Sequence, residues 1–327
     1  VQSGCILEKI KETAKKNNRH FPLTLPSQAS CTIGGNISTN AGGSCVLKYG
    51  MTKDLVEGLE VVLPDGSVIN SIKNIKKDNR GFDPKYLHIG SEGTLGIITT
   101  VKLKLFPEIK EKVMAIVAIK NIEKAIEFLE FVKQENYENL SAFEINSQLG
   151  MDLIKKYFSE INIPFNNNYP WYVIFEFSSP EKDFLQNKID NILMDAIDKK
   201  LIEDAIKPLN IKQYNDIWNT RELLSSAQKL QGKSIKHDIS IPISNIPAFL
   251  KKAESKLKNF PKNTLLAFGH LADGNLHFNV SKPAKLKSYE FKNFYNKVNR
   301  EIFDLVSSLG GSFSAEHGIG SIKKKRI

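Results

Sequence analysis

The chain has 327 residues, of which 41% are hydrophobic and 25% charged, and a net charge of +10. These values are those of an ordinary soluble protein long enough to form two packed domains. No apolar run reaches the roughly 18 residues that span a bilayer, so we expect no transmembrane segment. Three cysteines without metal-ligand spacing predict neither a disulfide framework nor a zinc ribbon, and favour a reducing compartment.

The positive charge is spread along amphipathic segments such as Lys9 to Lys16. The net charge would suit nucleic acid, an anionic membrane surface or an acidic substrate. Its spread, however, is typical of a solvated basic surface, so we expect no nucleic-acid partner. The chain begins at Val1 and ends on a run of Lys and Arg with no helix or turn signal. We therefore expect a fragment at both ends.

The first hundred residues predict a helix, a loop and a small set of strands. Apolar residues at helical spacing predict a helix over residues 6–17, and the Gly, Asn, Ser and Thr of residues 21–52 predict a long functional loop. Alternation around Asp65-Gly66 predicts a hairpin over residues 58–69, followed by a strand over residues 97–105.

From about Lys112 the pattern changes to strands alternating with amphipathic helices. The predicted strands cover residues 113–119, 141–145, 171–177, 235–241 and 265–270. The predicted helices cover residues 122–134, 181–197, 214–230, 243–257 and 289–309. This pattern predicts a second domain of the α/β or α+β class, and we expect the α+β class for the chain.

Two glycine-rich clusters offer backbone N–H groups that no side chain shields. They are Thr32–Asn36 with Asn40–Gly43, and Gly90–Gly96. Such loops can wrap a phosphate or a flavin ring, but they could equally be turns that join strands. The second cluster lacks the dinucleotide-binding spacing, and the residues before Gly232-Lys233-Ser234 do not fit a P-loop, so neither a Rossmann nor an ATP site is supported.

The segment around Asp273-Gly274 predicts a two-residue hairpin that pairs His270 with His277. Opposed side chains of this kind are close enough to share a metal ion. A third cluster, Ser314 to Gly320, adds Glu316, and two His with one Glu form a typical open zinc site. Paired histidines that only hydrogen-bond in a core remain the alternative.

Five motifs together resemble the D-2-hydroxyglutarate dehydrogenases, within the vanillyl-alcohol-oxidase-like flavoproteins that also include D-lactate dehydrogenases and the glycolate oxidase flavin subunit. The motifs are Cys31–Gly43, Lys77–Asp83, Ile89–Ile98, His270–Asn279 and Ser314–Gly320. The resemblance implies the second half of a PCMH-type FAD-binding domain over residues 1–107. Residues 108–327 would then be an α/β cap domain with a large antiparallel sheet flanked by helices.

The resemblance implies FAD, with a lining set from the glycine-rich segments. That set is Thr32, Ile33, Gly34, Gly35, Asn36, Thr39, Asn40, Gly42, Gly43, Gly50, Gly90, Glu92, Gly93, Thr94, Gly96, Ile97 and Ile98. It also implies a zinc or other divalent ion on His270, His277 and Glu316. Arg221, Ser225 and Lys236 match the family's substrate-carboxylate binders, with Ser225 standing where relatives carry Thr. Asn279 would hold the substrate or the imidazole by a hydrogen bond.

In the implied reaction, His317 takes the hydroxyl proton of a D-2-hydroxy acid while C2 delivers hydride to the flavin. Two cations beside the metal favour a dicarboxylate, so D-2-hydroxyglutarate is the expected substrate. Without a nicotinamide motif, the electron acceptor is expected to be a protein or a quinone, and a homodimer is compatible. The expected location is the cytoplasm, or the mitochondrial matrix in a eukaryote.

Several alternatives stay open at this point. The substrate could be D-lactate or glycolate with the same flavin and metal. The chain could instead be a non-catalytic basic binding fragment. The proposed site residues could also have other roles: Arg221 could pair with Glu222 or Glu203 at the surface, and Lys236 could pair with Asp238. His317 could serve only to orient Glu316.

Overall fold

The computed structural model describes residues 1–75, 77–162, 165–261 and 263–324. They form two compact units: Val1–Lys110 with the described residues from Glu316 onward, and Glu111–Ala315. The chain thus passes into the second unit three residues after the expected boundary at 107/108, and it returns to the first unit at Glu316, inside the expected second domain. Within the described ranges, no helix combines the length and the hydrophobicity needed to cross a membrane.

The first unit packs short helices on a three-stranded antiparallel sheet of order β3-β2-β4, with a separate two-stranded pair β1-β5. Its helices are α1 (Leu7–Lys16), α2 (Ile33–Ser38), α3 (Val46–Tyr49), α4 (Thr52–Leu55) and α5 (Lys85–His88). Its strands are β1 (Arg19–His20), β2 (Val56–Val62), β3 (Val68–Asn70), β4 (Ile97–Leu103) and β5 (Phe106–Pro107). Apolar side chains of α1, α2 and the sheet form one buried cluster.

Most elements predicted for this unit are confirmed, including α1, the β2–β3 hairpin and β4. The long loop predicted over residues 21–52 is wrong in part, because it contains α2, α3 and the start of α4. Helix α2 begins in spite of two glycines because the Thr32 side chain accepts a hydrogen bond from the Gly35 N–H.

The second unit is built on a seven-stranded antiparallel sheet of order β10-β12-β11-β7-β8-β6-β9. The strands are β6 (Glu111–Ile119), β7 (Leu140–Ser147), β8 (Trp171–Ser179), β9 (Asp204–Ile206), β10 (Ser234–Ser240), β11 (Leu265–His270) and β12 (Asn275–Ser281). All five predicted strands are present. The α+β class and the large antiparallel sheet are therefore confirmed.

Helices cover the faces of this sheet. They are α6 (Ile122–Asn136), α7 (Gln148–Tyr157), α8 (Leu185–Asp198), α9 (Ile211–Glu222), α10 (Leu224–Gln231), α11 (Ile246–Leu257) and α12 (Ser288–Ser308). Helices α6, α8, α11 and α12 contact one another in one layer, and α7, α9 and α10 form a second layer. A last short helix, α13 (Gly320–Lys323), belongs to the first unit.

The second layer covers the face of the sheet that carries the candidate site. Apolar side chains of α7 and α10 pack on Leu266 and Phe268 of β11. On the same face, residues of β6 and β8 pack against Met151 of α7 and Ile217 of α9. The single helix predicted over residues 214–230 is wrong, because the chain breaks at Leu223 into α9 and α10.

Candidate active site

The two histidines of the predicted hairpin lie on adjacent strands, but not in the predicted register. In β11 and β12 the partner of His277 is Phe268, so the direct pairing of His270 with His277 is wrong by two residues. The turn is longer than two residues, because Leu271–Asp273 form a 3₁₀ turn that ends at Gly274 in the left-handed conformation. The Asp273 carboxylate accepts a bond of 3.1 Å from the Asn275 N–H and stabilises this longer turn.

The two-residue error leaves both histidines on one face, since side chains alternate with a period of two along a strand. Their ring centroids are 6.4 Å apart. One ring nitrogen of His270 lies within 4.8 Å of one of His277, and both side chains are half-buried. The pair can therefore supply two nitrogen ligands to one metal ion.

A buried acid faces His270 from the next strand. Glu144 of β7 is the cross-strand partner of His270, and its side chain is only 2% exposed. One carboxylate oxygen, Oε1, is hydrogen-bonded to His270 Nδ1. The other, Oε2, accepts a bond of 2.7 Å from Arg221 Nε of α9. The predicted metal ligand His270 and the predicted carboxylate binder Arg221 are thus bound to the same buried side chain.

The environment of Glu144 keeps its carboxyl ionised. Burial by itself would raise the pKa of this group, but the charges of His270 and Arg221 and the hydrogen bonds from both lower it to about 2. The surface pairings considered for Arg221, with Glu222 or Glu203, are therefore replaced by an ion pair with a buried acid.

Phe268 fills the space between these groups. Its ring is buried, lies 4.9 Å from the Arg221 guanidinium carbon and has its centroid 4.9 Å from that of His277. A cation over an aromatic face is attracted by the ring quadrupole, so the ring holds the arginine as well as packing the core. Phe268, Arg221, Glu144 and the two histidines form one connected cluster.

The other predicted substrate residues lie beside this cluster on α10, β10 and β12. Lys236 is exposed on β10 and is the cross-strand partner of the buried Asn279. The Asn279 amide donates to Gln228 Oε1 of α10 at 2.8 Å and accepts from the His237 backbone N–H at 3.3 Å. Ser225 is exposed in the first turn of α10. The unit thus brings Lys236 and Asn279 together on adjacent strands, and α10 contacts Asn279 through Gln228.

A cavity lies elsewhere in the same unit, apart from this cluster. It has a volume of about 710 Å³ and is lined by α6 and α11, with Ala267 and Phe278 at its floor. These two residues alternate with Phe268 and His277 along their strands, so the cavity opens on the opposite face of the sheet. It is not part of the histidine and arginine cluster.

In the first unit, the two glycine-rich segments lie side by side. The Gly90 N–H donates to the Ile37 carbonyl at 3.0 Å, and the Glu92 N–H to the Ser38 carbonyl at 2.8 Å. Asn40 and Gly43 have positive φ values, as do Gly50, Gly90, Glu92, Gly93 and Gly96. Glycine adopts positive φ without a steric penalty, which explains why the segments are rich in glycine.

Part of the predicted lining set serves the packing of the unit itself. The side chains of Ile33 and Ile98 are buried in the apolar cluster. Gly34 is required by close packing, because a Cβ there would lie 2.6 Å from Ser3 Cβ. Gly35, Gly90 and Gly93 are exposed, and a Cβ on Gly93 would meet no atom within 4 Å. A planar ring could therefore approach the backbone at Gly93, as a bound flavin requires.

The residues from Glu316 to Gly320 are tied to these segments. The Gly43 N–H donates to Glu316 Oε1 at 3.3 Å. The Glu92 carboxylate accepts from the Ile319 N–H at 2.7 Å and from the Gly320 N–H at 2.9 Å. His317, between these two attachment points, is exposed. The first unit therefore holds the predicted base and the predicted third ligand on one fixed segment.

The sequence reasoning missed Glu144 and Phe268. Glu144 was visible as a charged residue inside the apolar run of the strand predicted over residues 141–145, and such a residue needs a partner when it is buried. The partner itself was not visible, since His270 is 126 residues away in the chain. Phe268 had no signal beyond that of an ordinary core residue.

Comparison with known proteins places these units in a family. Residues 109–327 match the model for FAD linked oxidases, C-terminal domain, and residues 1–71 match that for an FAD binding domain. A protein named D-2-hydroxyglutarate dehydrogenase, mitochondrial, from Arabidopsis thaliana is 32% identical over 326 residues, which cover 100% of this chain and 57% of that protein.

A D-2-hydroxyglutarate–pyruvate transhydrogenase of Saccharomyces cerevisiae is 31% identical over 333 residues, covering 99% of this chain and 66% of that protein. The fold resembles that of a solved alkyldihydroxyacetonephosphate synthase, with a TM-score of 0.68 and 18% identity over 95% of this chain and 58% of the other. The chain thus spans little more than half the length of the first of these relatives. It belongs to the FAD-linked oxidases, whose C-terminal domain covers two thirds of it.

Proposed function

We propose that the chain forms part of an FAD-dependent dehydrogenase that oxidises D-2-hydroxyglutarate to 2-oxoglutarate. The observation that carries this proposal is the contact of one buried carboxylate, Glu144, with both His270 and Arg221. It sets a potential metal ligand beside a guanidinium, and a 2-hydroxy acid offers groups for both. The substrate name comes from the relatives, and the geometry agrees with it.

Recognition of the substrate carboxylates falls to cations of the second unit. Arg221 can bind a carboxylate through two parallel hydrogen bonds, while Lys236 acts as a point charge. Ser225 of α10 would add a hydroxyl, and Asn279, which is bound to Gln228 of α10, would add an amide. Two cations favour a dicarboxylate over lactate, which has a single carboxylate.

For the metal we propose His270, His277 and Glu316 as ligands, with zinc as the ion. The ligand types fit, since two imidazoles and one carboxylate leave a position open for substrate oxygens. Chain continuity supports Glu316: the preceding residue, Ala315, donates its N–H at 3.2 Å to the carbonyl of Asp238, the cross-strand partner of His277. When bound, the ion would draw electron density from the C2 hydroxyl and acidify it.

His317 is proposed to take the hydroxyl proton. Its side chain is exposed, and a neutral imidazole nitrogen can accept a proton. FAD, lying on the glycine-rich segments, would supply the acceptor for the hydride that leaves C2. The electrons would pass on to a protein or a quinone, because the chain has no nicotinamide motif.

The proposal is tested by turnover of the flavin-loaded protein with an artificial electron acceptor. We expect a higher kcat/KM for D-2-hydroxyglutarate than for D-lactate or glycolate. His317→Ala should lower the rate by about 10²- to 10⁴-fold, the usual contribution of a general base. His20→Ala, which changes a half-exposed histidine of the same unit, is the matched control and should keep the parent rate.

Other outcomes would contradict part or all of the proposal. Full turnover by His317→Ala would reject the role of this residue. Faster turnover of D-lactate or glycolate would assign the chain to the related hydroxy acid dehydrogenases. A protein that retains no flavin, yet binds DNA or liposomes in a salt-dependent manner, would be the non-catalytic binding fragment.

A further inference from the structure

Glu144 lies in a position where a charged residue is costly. It is in the middle of β7, a strand whose residues are buried from Leu140 to Asn146, and its own side chain is 2% exposed. A buried carboxylate persists only when charged or hydrogen-bonding partners compensate for the loss of water. Both of its partners, His270 and Arg221, belong to the site proposed above, so its position serves that site.

The contact with His270 determines which ring nitrogen is available to a metal. An ionised carboxylate can only accept hydrogen bonds, so His270 must carry a proton on Nδ1 to bind Oε1. The contact occupies Nδ1 and so leaves Nε2 as the ring nitrogen that can bind a metal ion. A carboxylate that orients a ligating imidazole in this way also raises its basicity.

The contact with Arg221 leaves most of the guanidinium available. It uses the Nε–H, one of five donors, through the bond of 2.7 Å to Oε2. The ring of Phe268 supports the planar group at 4.9 Å. The terminal nitrogens keep the fork geometry that binds a carboxylate in two places.

We propose that Glu144 is a positioning residue that fixes the His270 ring for a metal ion and the Arg221 guanidinium for a substrate carboxylate through one buried contact. This role rests on the proposed function, because it gives both partners their purpose. Glu144 would act through these two side chains, since each binds one of its two carboxylate oxygens. Its loss should weaken metal binding, although all three proposed ligands are still present.

The first experiment measures the affinity for zinc alone, by competition with a chromophoric chelator, and needs neither flavin nor substrate. Glu144→Gln keeps the shape of the side chain, but its amide can donate to Nδ1 and so favour the wrong tautomer. We expect zinc affinity to fall about 10- to 100-fold, as for other partners of ligating histidines. The state of the ring is followed by its ¹⁵N shifts in zinc-free protein, which should show an Nδ1 proton only in the parent.

Glu176→Gln is the matched control. Glu176 is a second buried glutamate of the same sheet, on β8, bound to the hydroxyl of Tyr214 and to Trp218 Nε1. The same substitution there should cost comparable stability without changing zinc affinity. Equal zinc affinity in the parent and in Glu144→Gln would overturn the role of Glu144 while leaving the proposed metal centre intact. A parent protein that binds no zinc would overturn the metal centre, and this role with it.

Glu144→Gln leaves the Arg221 charge without its ionised partner, which can destabilise the fold. Arg221→Met removes that charge, so the comparison is repeated between Arg221→Met and the double variant with Glu144→Gln. The loss of zinc affinity should persist in this pair, because it acts through His270. If the loss disappears once Arg221 is replaced, the effect comes from the unpaired charge and the proposal fails.

Discussion

Replacing Phe268 with leucine tests how the cluster is held together. The leucine side chain keeps β11 apolar and roughly fills the core, but it has no ring face for the Arg221 guanidinium and no ring to contact His277. Every polar group of the site is left in place. The variant therefore isolates the contribution of the aromatic ring.

The magnitude follows from the contacts that the ring makes. A shape change within a well-packed core costs up to about 1.5 kcal/mol. A desolvated cation over a ring contributes up to about 2 kcal/mol, and a ring pair about 0.5–1.5 kcal/mol. We expect a total loss of about 3 kcal/mol in the free energy of unfolding. For a unit of this size that corresponds to a fall of about 6–12 °C in Tm.

Thermal unfolding followed by circular dichroism measures this loss. Phe278→Leu is the control, since this residue is equally buried on β12 but contacts Phe249 on the opposite face of the sheet. It should lower Tm by less, because no cation rests on its ring among the described contacts. The same fall in Tm for both variants would refute a stabilising contact between Phe268 and Arg221.

Three further predictions concern metal binding and backbone geometry. Zinc at about 100 times its Kd should stabilise the parent by about 2.7 kcal/mol and raise Tm by roughly 5–10 °C, as measured by scanning fluorimetry. His277→Ala should abolish this rise in Tm, and an equal rise in the variant would contradict a role of His277 in metal binding. Gly269→Ala should lower the free energy of unfolding in urea by about 2 kcal/mol, because φ is +152° and the new Cβ would lie 2.6 Å from a carbonyl oxygen of β12. Gly4→Ala, whose Cβ would meet no atom within 4 Å, should leave that free energy unchanged, and an equal loss in both variants would refute the strain at Gly269. Gly318→Ala would place a Cβ 2.3 Å from Glu92 Oε1 and displace the carboxylate from the Ile319 and Gly320 amides that it binds. Hydrogen exchange at those two amides should become faster with little change in Tm, and unchanged exchange rates would show that the carboxylate does not protect them.

The sequence predicted the elements well because their signals are local. Apolar residues with a period of two or 3.6 predicted five of the six longer strands of the second unit and most of its helices. Helix α7 was missed because it contains Gly150, a poor helix residue, which is retained since a Cβ there would collide with Asn146. The break at Leu223 was missed because an apolar helical pattern continues across it.

The candidate site was predicted less completely because it depends on distant pairings. The two histidines were placed on one face correctly, but in the wrong register, since the preference of Asp273-Gly274 for a two-residue turn lost to the longer turn that begins at Leu271. The pairing of β11 with β7, which sets Glu144 beside His270, leaves no mark in either segment alone. The roles given to Ser225, Lys236, Asn279 and His317 remain predictions.

The division of the chain into units also determines the order in which they can be completed. The second unit is inserted into the first, which contains Val1–Lys110 and resumes only at Glu316. During synthesis the first unit lacks the segment of Glu316 and His317 until all of residues 111–315 have been made. The entropic cost of bringing the two ends of an insert together grows only slowly with the length of the insert. A folded insert holds its ends at fixed positions, so this cost is smaller than for an unfolded one. The proposed ligand Glu316 and the proposed base His317 therefore reach the first unit only after the sheet that carries the two histidines has been synthesised.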